Sequence, residues 1–367
     1  MKTGIGIVGC GVISDSYLKN LSTVFENTRV ISVFDLNQEA AQKKAAQYGV
    51  RAAATYEEML ADPEVEVVLN ITTPLAHFAL TKAALEAGKH VYSEKPLALT
   101  YAECRELEAT AKAHGVLLGC APDTFLGATY QKAQEIVESG ELGEITSVYS
   151  FDVCHGHEHW HPAPGFFYDV GAGPMLDRGP YNLSTLVAML GPVEWVAGMT
   201  GKAFTERTIG CGPDLGKTVP VNVPTHVNGL MQFCSGALCV ISTSFDVWGS
   251  QLPAAEIHGT KGSMKLPIPI NFDGEIGLRI GRVKEYTPVP LEGPYDRNSR
   301  GLGLSDMVRC IQNGGTYRCT SALATHCVEV MEAFDRSQAE KGFIHIESRC
   351  ERPALLQKGL TFGQVGE

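Results

Sequence analysis

The stretch that decides the fold is Ile5–Ser14, which reads IGIVGCGVIS. Its apolar start predicts a buried strand, followed by a glycine turn and then a helix. Gly9 permits the tight turn, and Gly11 lets the backbone come close to a bound phosphate group. Free N–H groups at the start of the helix, around Val12 and Ile13, face the negative charge. This order of features suits a dinucleotide pyrophosphate.

Two further features complete the pattern. Ser14 stands where a third glycine is usual, so the helix and the strand must tolerate one small hydroxyl there. Val30–Asp35 predicts a second strand, and its terminal carboxylate can accept hydrogen bonds from an adenosine ribose. Because a carboxylate repels a 2′-phosphate, the sequence favours NAD over NADP. The competing interpretation is a chance glycine turn in an unrelated α/β domain.

Composition limits the class of protein. The chain has 367 residues, of which 44% are hydrophobic and 19% charged, so it is long enough for two domains with sizeable cores. The net charge of −11 argues against a surface for nucleic acid or anionic membrane. No apolar stretch is long enough to predict a transmembrane helix, and the first strand leaves no room for a signal peptide. The 11 scattered cysteines indicate reduced thiols and a cytoplasmic location.

Residues 1–122 alternate apolar runs with amphipathic stretches. This repeating order of strand and helix predicts a parallel, doubly wound sheet, and we expect the dinucleotide-binding domain there. Besides the two strands above, the expected strands are Val65–Ile71, Lys89–Tyr92 and Val116–Gly119, and the expected helices are Phe78–Gly88 and Ala102–His114.

In residues 123–367 the sequence pattern changes, and strand-like runs follow one another. They predict an α+β domain with a large, mostly antiparallel sheet. Gly201–Pro224, rich in glycine, proline and threonine, is expected to be a long loop. The expected strands are Ile145–Val153, Val193–Ala197, Gly229–Phe233, Ala237–Phe245 and Glu256–Gly259, and the expected helices are Gln131–Ser139, Met175–Leu190, Leu304–Asn313 and Ser321–Ala339.

Three further segments carry a resemblance to a known family. They are Thr72–His77, Ala87–Ala98 with the sequence AGKHVYSEKPLA, and Gly171–Tyr181 with the sequence GAGPMLDRGPY. Together with the glycine turn, they make the chain resemble the Gfo/Idh/MocA family of oxidoreductases over essentially its whole length. The Ala87–Ala98 block is highly specific, and the Gly171–Tyr181 block is moderately so.

The resemblance implies both architecture and chemistry. It implies an N-terminal Rossmann domain, a C-terminal substrate domain with an open sheet, a bound nicotinamide cofactor and a cis peptide before Pro96. Family members mostly oxidise or reduce a secondary alcohol of a sugar or cyclitol, and many are dimers or tetramers built through the open sheet face. Two departures bear on the substrate. Tyr181 stands where the family often has histidine, and Ala121–Gly127 stands where many members have an asparagine and arginine pair.

Lys95 is the first candidate for the chemistry. It lies just past the C-terminal end of a strand, where open α/β sheets bind ligands. Pro96 restricts the backbone beside it. The competing interpretation is a solvated surface lysine before a turn. The residues expected at the cofactor are Gly9, Gly11, Val12, Ile13, Asp35, Thr72, Thr73, Pro74, His77, Glu94 and Lys95, although His77 is also explained as a residue at the start of a helix.

Asp177 and Tyr181 are four residues apart, which places them on one face of a helix. A free tyrosine titrates near pKa ~10, so a phenol needs a nearby cation to act as a base at neutral pH. We therefore predict that Tyr181 accepts the proton, Lys95 is its electrostatic partner and Asp177 orients the group. In the nearest alternative, a Lys95–Asp177 pair is the base and Tyr181 only hydrogen-bonds a hydroxyl. A third interpretation makes Asp177 a helix-start charge and Tyr181 a core aromatic.

Cys154–Pro162 contains four alternating histidines and one tryptophan. Strand periodicity would place the imidazoles on one face, where they could bind zinc or another transition metal. Gly156 and Pro162 instead favour a loop over the substrate, and we expect no metal. A third interpretation is that these histidines are partly exposed polar residues of a strand, with no functional role. The residues expected to contact substrate are Lys95, Asp123, His157, Trp160, His161, Asp177 and Tyr181.

These features predict an NAD(H)-dependent dehydrogenase. We expect it to oxidise a ring secondary hydroxyl, such as C3, of a neutral sugar, glycoside or cyclitol, because the histidine-rich segment carries aromatic side chains and few cations. One alternative is a glycoside-cleaving enzyme whose bound cofactor is reduced only transiently. The other is a ligand-sensing or scaffold protein that kept the fold and lost the chemistry. We expect a homo-oligomer that binds neither nucleic acid nor membrane.

Overall fold

The computed structural model describes residues 2–366 and separates them into two compact units. Within the described residues, unit 1 consists of residues 2–131, 292–328 and 353–366, and unit 2 consists of Lys132–Leu291 and Glu329–Arg352. The chain therefore enters each unit more than once. The domain boundary predicted after residue 122 stays a prediction.

Unit 1 contains a six-stranded parallel sheet with the strand order β3-β2-β1-β4-β5-β6. This order confirms the predicted doubly wound fold, with a topological switch point between β1 and β4. Every residue of β1 is buried, as expected for a strand covered on both faces. The elements are β1 Thr3–Val8, α1 Ser14–Thr23, β2 Thr28–Phe34, α2 Gln38–Tyr48, β3 Arg51–Ala52, α3 Tyr56–Ala61, β4 Val67–Asn70, α4 Pro74–Glu86, β5 His90–Ser93, α5 Tyr101–His114 and β6 Leu118–Cys120, after which α6 Ala128–Glu138 leads into unit 2.

Unit 2 is built on a nine-stranded sheet with the order β16-β15-β14-β13-β7-β12-β11-β8-β17. All neighbours are antiparallel except β7 and β12, which are parallel. The predicted open, mostly antiparallel sheet is therefore confirmed. The elements are β7 Ile145–Val153, α7 Pro174–Leu190, β8 Val193–Gly201, β9 Glu206–Thr208, β10 Thr218–Pro220, β11 His226–Phe233, β12 Leu238–Ser244, β13 Ala255–Gly259, β14 Gly262–Leu266, β15 Gly277–Ile280, β16 Thr287–Pro288 and β17 Ile344–His345.

The segment Gly201–Pro224, expected to be a loop, was predicted incompletely. It contains β9 and β10, which pair as a separate two-stranded antiparallel sheet. Each strand has only three residues, so alternation of apolar and polar residues had too few positions to show. Val221, just after β10, is buried with Tyr168 and Phe245, and this contact holds the hairpin against the rest of unit 2.

Two helices near the C-terminus are confirmed, and they serve different parts of the molecule. α8 Leu302–Asn313 belongs to unit 1, and α9 Ser321–Glu340 runs from unit 1 into unit 2. Within unit 2, a Cβ on Gly198 of β8 or Gly229 of β11 would lie within 2.5 Å of the Phe334 ring of α9. These two glycines therefore let α9 pack closely on one face of the sheet. Among residues 2–366, no helix is both long enough and apolar enough to cross a membrane.

Candidate functional site

The glycine turn after β1 has the shape that a phosphate group needs. Gly9 has φ +105°, and a Cβ there would lie 2.7 Å from the carbonyl oxygen of Ile71, so only glycine fits. A Cβ on Gly11 would meet no atom within 4 Å. Ser14, at the place of the third glycine, donates its hydroxyl to the Gly11 carbonyl at 2.6 Å. No side chain caps the N-terminus of α1 at Ile13, so the turn offers backbone donors beside open space.

Asp35 follows β2 and lies next to this turn. Its Oδ2 accepts a hydrogen bond from the Cys10 backbone N–H at 2.7 Å, and its Oδ1 accepts one from the Asn37 N–H at 2.8 Å. A carboxylate can accept about four hydrogen bonds, so acceptor capacity remains for ribose hydroxyls. Burial, followed by the charge of Asp35, raises the pKa of the Cys10 thiol to about 11, so this cysteine is a packing residue. The turn and the carboxylate together fit a bound dinucleotide.

The segment after β5 holds Lys95 through its neighbours. The Lys95–Pro96 peptide is cis, as the resemblance implied. Glu94 is buried, and its Oε1 accepts from the Tyr17 hydroxyl at 2.8 Å while its Oε2 accepts from the Lys95 backbone N–H at 2.9 Å. Burial and the nearby Glu94 raise the pKa of Tyr17 well above its usual value, so the phenol stays a donor. Glu94 therefore fixes the backbone from which the half-buried Lys95 extends.

His77 connects this segment to the one after β4. Its Nδ1 lies 2.6 Å from the Pro96 carbonyl oxygen, and its Nε2 lies 3.1 Å from the Thr72 carbonyl oxygen. Thr72 is held again through its hydroxyl, which donates to Asn70 Oδ1 at 2.7 Å. Burial lowers the pKa of His77. The imidazole is buried and bridges two backbone segments, and Thr73 and Pro74 begin α4 beside it.

Asp177 lies in the first turn of α7 and is held by two side chains in unit 2. His157 Nε2 and Arg178 Nε each lie 3.2 Å from Asp177 Oδ2. His157 is only 2% exposed, and its ring packs between Phe167 and Phe245. Two donors on one oxygen stabilise Asp177 as a carboxylate of fixed orientation.

A polar network behind Asp177 was missed by the sequence analysis. Asn182 donates from Nδ2 to Asp152 Oδ2 at 3.2 Å and accepts from the Ser150 hydroxyl at 3.0 Å. Burial raises the pKa of Asp152, and the neighbouring Arg178 opposes that rise. The available signal was two polar residues, Ser150 and Asp152, at alternate positions of β7 that the sheet buries. Tyr181 lies one helical turn after Asp177 in α7, as predicted, and is buried.

The histidine-rich segment is a loop that follows β7, as the loop interpretation predicted. Its histidines do not share one face, because His157 is buried and His159 is exposed. Trp160 is 55% exposed and contacts the His157 ring at 5.5 Å between ring centres. His161 accepts a hydrogen bond from the Ala163 N–H. Across residues 2–366, no group of three or more His, Cys, Asp and Glu side chains could hold a metal ion.

Asp123 occupies a structural position in unit 1. It is completely buried, and its Oδ2 accepts from the backbone N–H groups of Gly301 and Gly303 at 2.8 and 3.1 Å. These donors lie at the N-terminus of α8, so the carboxylate caps that helix from a distant part of the chain. The predicted contact between Asp123 and substrate stays a prediction, and these bonds explain the residue without one.

The glycine turn and the acid after β2 fit the nucleotide-binding domain of an oxidoreductase, and the comparisons agree with this class. Two family models match the chain. One, described as "Oxidoreductase family, NAD-binding Rossmann fold", covers residues 3–121, and the other, "GFO/IDH/MocA C-terminal domain", covers residues 130–265. The chain belongs to the Gfo/Idh/MocA family, and it is a dehydrogenase that acts on CH–OH groups. The resemblance found in the sequence is confirmed.

Curated relatives are similar over most of the chain. A 1,5-anhydro-D-fructose reductase of Ensifer adhaerens is 27% identical over 71% of this chain and 74% of its own length. A myo-inositol 2-dehydrogenase of Thermotoga maritima is 27% identical over 81% of each chain. Among solved structures, levoglucosan dehydrogenase in complex with NADH and L-sorbose covers 95% of this chain and 100% of its own, with a TM-score of 0.81 and 20% identity, which shows the fold alone.

Proposed function

We propose that the protein oxidises a ring secondary hydroxyl of a neutral sugar, glycoside or cyclitol to a ketone. The observation that carries this proposal is Asp177, whose Oδ2 is held by both His157 and Arg178. A fixed carboxylate on the same helix face as Tyr181 is suited to orienting a hydroxyl for proton removal. The named relatives act on a cyclitol and an anhydro sugar, which supports the substrate class.

NAD is the proposed cofactor, in preference to NADP. The support is Asp35, which two backbone N–H groups hold beside the glycine turn. A carboxylate there accepts from ribose hydroxyls and repels a 2′-phosphate. The pyrophosphate would be held by the backbone around Gly11, Val12 and Ile13. When bound, the nicotinamide supplies a hydride acceptor for the substrate carbon. Residues Thr72, Thr73, Pro74 and His77 are proposed to line the cofactor as well.

We assign removal of the proton from the substrate hydroxyl to three residues, Lys95, Asp177 and Tyr181. Loss of hydride from carbon and of a proton from oxygen leaves a ketone, so one protein group must take that proton. In our proposal Tyr181 accepts it, Lys95 donates a hydrogen bond to the same oxygen and Asp177 holds the orientation. The alternative, in which Lys95 and Asp177 form the base, predicts a different result for Tyr181→Phe.

The proposed substrate is neutral because aromatic groups dominate the loop after β7. Trp160 is exposed beside His157, and His161 packs against Trp160 and Phe166. An exposed indole stacks on the apolar face of a sugar ring, and imidazoles can bond hydroxyl groups. The reacting position, for which C3 is our proposal, is a ring secondary hydroxyl. Direct product analysis would identify it.

The experiment follows reduced nicotinamide by absorbance while purified protein and NAD are offered free sugars, cyclitols and glycosides. Lys95→Ala serves as the inactive variant, and Lys112→Ala, an exposed lysine of α5, is the matched control. We expect a rise that Lys95→Ala abolishes and Lys112→Ala leaves intact. No rise with any substrate in either direction would overturn the proposal. A cleaved glycosidic bond with no net NADH would point to the transiently reduced cofactor instead.

Tyr181→Phe separates the two proton assignments. If Tyr181 accepts the proton, the variant loses about 10²- to 10⁴-fold in kcat, which is the usual contribution of a general base. If Lys95 and Asp177 form the base, Tyr181→Phe raises KM and leaves kcat largely intact. Asp177→Asn loses kcat in both cases, so it confirms that the assay reports on this cluster.

We also propose a cytoplasmic homo-oligomer. The eleven cysteines are reduced thiols, which is typical of proteins in a reducing compartment. One face of the unit 2 sheet carries exposed apolar side chains, including Met199, Leu230 and Leu238. An exposed face of this kind is suited to pairing with a second copy of the chain.

A further inference from the structure

The carboxyl ends of β7 and β12 form one edge of the unit 2 sheet. The two strands are adjacent and parallel, so the segments that follow them leave the sheet together. They continue side by side, because the Val247 N–H donates to the Cys154 carbonyl at 3.1 Å. Phe245 of one segment contacts the His157 ring of the other. Residues 245–248 therefore lie beside the loop that holds Asp177.

Trp248 is the most exposed aromatic side chain on this edge, with 84% of its surface accessible. Its indole stacks on the imidazole of His155, with ring centres 3.4 Å apart and planes 14° apart. Phe204, from the segment before β9, meets the same imidazole edge-on at 5.9 Å. One face of the indole is thus supported, and the side chain presents a flat aromatic surface to solvent.

A buried ion-pair network fixes this surface in place. Arg207 of β9 is buried and bonds Glu158 Oε1 at 3.1 Å and the Phe245 carbonyl at 2.8 Å, and it also pairs with Asp246. The same guanidinium lies 3.4 Å from His155 Nε2. Because Arg207 joins the hairpin to both segments that carry the stacked rings, the indole rests on a rigid base rather than on a free loop.

His155 and His157 connect Trp248 to the carboxylate of Asp177. His155 supports Trp248, and two residues further along the same loop His157 bonds Asp177. Trp160, three residues after His157, contacts the His157 ring. Two exposed indoles therefore rest on histidines of this loop, Trp248 on His155 and Trp160 on His157. A single sugar ring needs only one exposed indole on which to stack.

We propose that Trp248 forms a second subsite, which stacks on the ring linked to the one that is oxidised. The substrate is then a two-ring glycoside, such as a disaccharide, rather than a free monosaccharide. This inference rests on the proposed dehydrogenase function. A pyranose presents an apolar C–H face and a rim of hydroxyls, which suits an indole bordered by polar groups.

The surroundings of Trp248 favour a sugar over a protein partner. The next three residues along the chain, Gly249, Ser250 and Gln251, are small or polar and exposed. A stable protein interface buries about 800 Å² on each partner and has an apolar centre larger than one side chain. One supported indole followed by small and polar residues matches the size and chemistry of one sugar ring.

The test compares disaccharides with methyl glycosides of the same sugars in wild type and in Trp248→Ala. We expect the ratio of kcat/KM for the two-ring substrate to that for the one-ring substrate to fall about tenfold in the variant, the size of one aromatic stacking contact. Phe343→Ala, an exposed aromatic on another part of unit 2, is the matched control and should keep the wild-type ratio. An unchanged ratio in Trp248→Ala would overturn the subsite.

A binding measurement separates this inference from the dehydrogenase proposal. The chain has three tryptophans, so disaccharide stacking should quench intrinsic fluorescence in wild type and much less in Trp248→Ala. Maltose, cellobiose, trehalose and lactose serve as probes, without cofactor. If no sugar is oxidised but one of them quenches Trp248, the subsite stands and the dehydrogenase proposal fails. If none of them quenches and none is oxidised, or if Trp248→Ala changes the oligomeric mass instead, the subsite is overturned.

Discussion

Gly9 and Gly11 lie two residues apart, but the structure needs them for different reasons. Gly9 has a positive φ, and any Cβ there would strike the Ile71 carbonyl. Gly11 has no protein atom near the position of its missing Cβ. The first glycine therefore serves the fold of β1 and β4, and the second keeps space open for a ligand.

These roles predict that alanine lowers stability at position 9 and weakens NADH binding at position 11. Gly9→Ala should lower the free energy of unfolding by about 1–3 kcal/mol, because it adds both strain and a clash. Gly11→Ala should leave the melting temperature close to wild type and weaken NADH binding. Thermal melts and a fluorescence titration with NADH measure the two effects. Full NADH affinity in a well-folded Gly11→Ala would contradict the assigned role of the turn.

His157 acts on the proposed chemistry through Asp177, which makes it a positioning residue. Its Nε2 bonds the carboxylate, while its ring is enclosed by Phe167 and Phe245. His157→Gln replaces the enclosed imidazole with a flexible amide, so the donor to Asp177 is no longer held in a fixed orientation by the two phenyl rings. We expect kcat to fall by about 10- to 100-fold, because a displaced catalytic group loses its orientation. NADH affinity should not change, because the nucleotide turn belongs to unit 1.

His159→Gln is the matched control, since His159 is exposed in the same loop. It should keep wild-type kcat and KM. His157→Asn is a second variant of the same residue. Its shorter amide places the donor farther from Asp177, so kcat should not recover. If His157→Gln retained wild-type kcat with an unchanged melting temperature, the imidazole would not be positioning Asp177.

At the scale of elements, α8 begins where a distant acid caps it. Asp123, which follows β6, accepts from Gly301 and Gly303 across 178 and 180 positions of the chain. Its Oδ1 is buried with no hydrogen-bond partner among the described residues. Burial raises the pKa of Asp123 to about 6, while the backbone N–H groups of α8 oppose the rise. The native state therefore holds a proton that the unfolded chain releases near pKa ~3.9.

This difference gives a pH dependence with a definite sign. Between about pH 4 and pH 6 the native state binds more protons at Asp123 than the unfolded state does, so stability from this group falls as pH rises. Asp123→Asn stays neutral and keeps an oxygen acceptor for the two glycines. The melting temperature of Asp123→Asn minus that of wild type should increase from pH 4 to pH 7. A difference that stays constant over that range would contradict the raised pKa.

Long apolar runs made most elements predictable. β7 and α7 are found close to their expected bounds, because a strand or an amphipathic helix of nine or more residues leaves a clear pattern. β9 and β10 could not be predicted, since three-residue strands in a segment rich in glycine and proline have no readable period. Their packing depends on Arg207, whose partners lie 39 and 49 positions away.

The candidate site was predictable where its residues share one segment. Asp177 and Tyr181 lie on one helix, so spacing alone related them. The bonds from His157 to Asp177 and from Tyr17 to Glu94 join separate elements, and neither spacing nor composition encodes such pairs. Glu94 was expected at the cofactor, which stays a prediction, and its carboxylate accepts from Tyr17 and the Lys95 backbone. Local motifs thus identify reactive groups, while the groups that hold them emerge only in the fold.

At the scale of the whole molecule, the unit 2 sheet has one covered and one open face. α9 packs on the face marked by Gly198 and Gly229. Residues at the intervening positions point the other way, because side chains alternate along a strand. On this open face the exposed apolar side chains are Tyr149, Trp195, Met199, Leu230 and Leu238. Leu230 pairs with Ala197 on one side and with Val240 on the other, and Val240 pairs with Tyr149, so a continuous apolar row crosses β8, β11, β12 and β7.

A continuous apolar surface of this kind is rarely left in contact with water, so we expect a second copy of the chain to cover it. Leu230→Lys places a charge in the middle of the surface, on β11, and burying that charge in an interface would leave it without a partner. Light scattering coupled to size exclusion should show the homo-oligomer dissociate to a monomer of 39.5 kDa in this variant. Leu215→Lys, at an exposed leucine between β9 and β10, is the matched control and should keep the wild-type mass. A monomeric wild type, or the same mass for both variants, would show that the open face does not mediate self-association. An apolar surface that tolerates a lysine at its centre is not buried against a second copy of the chain.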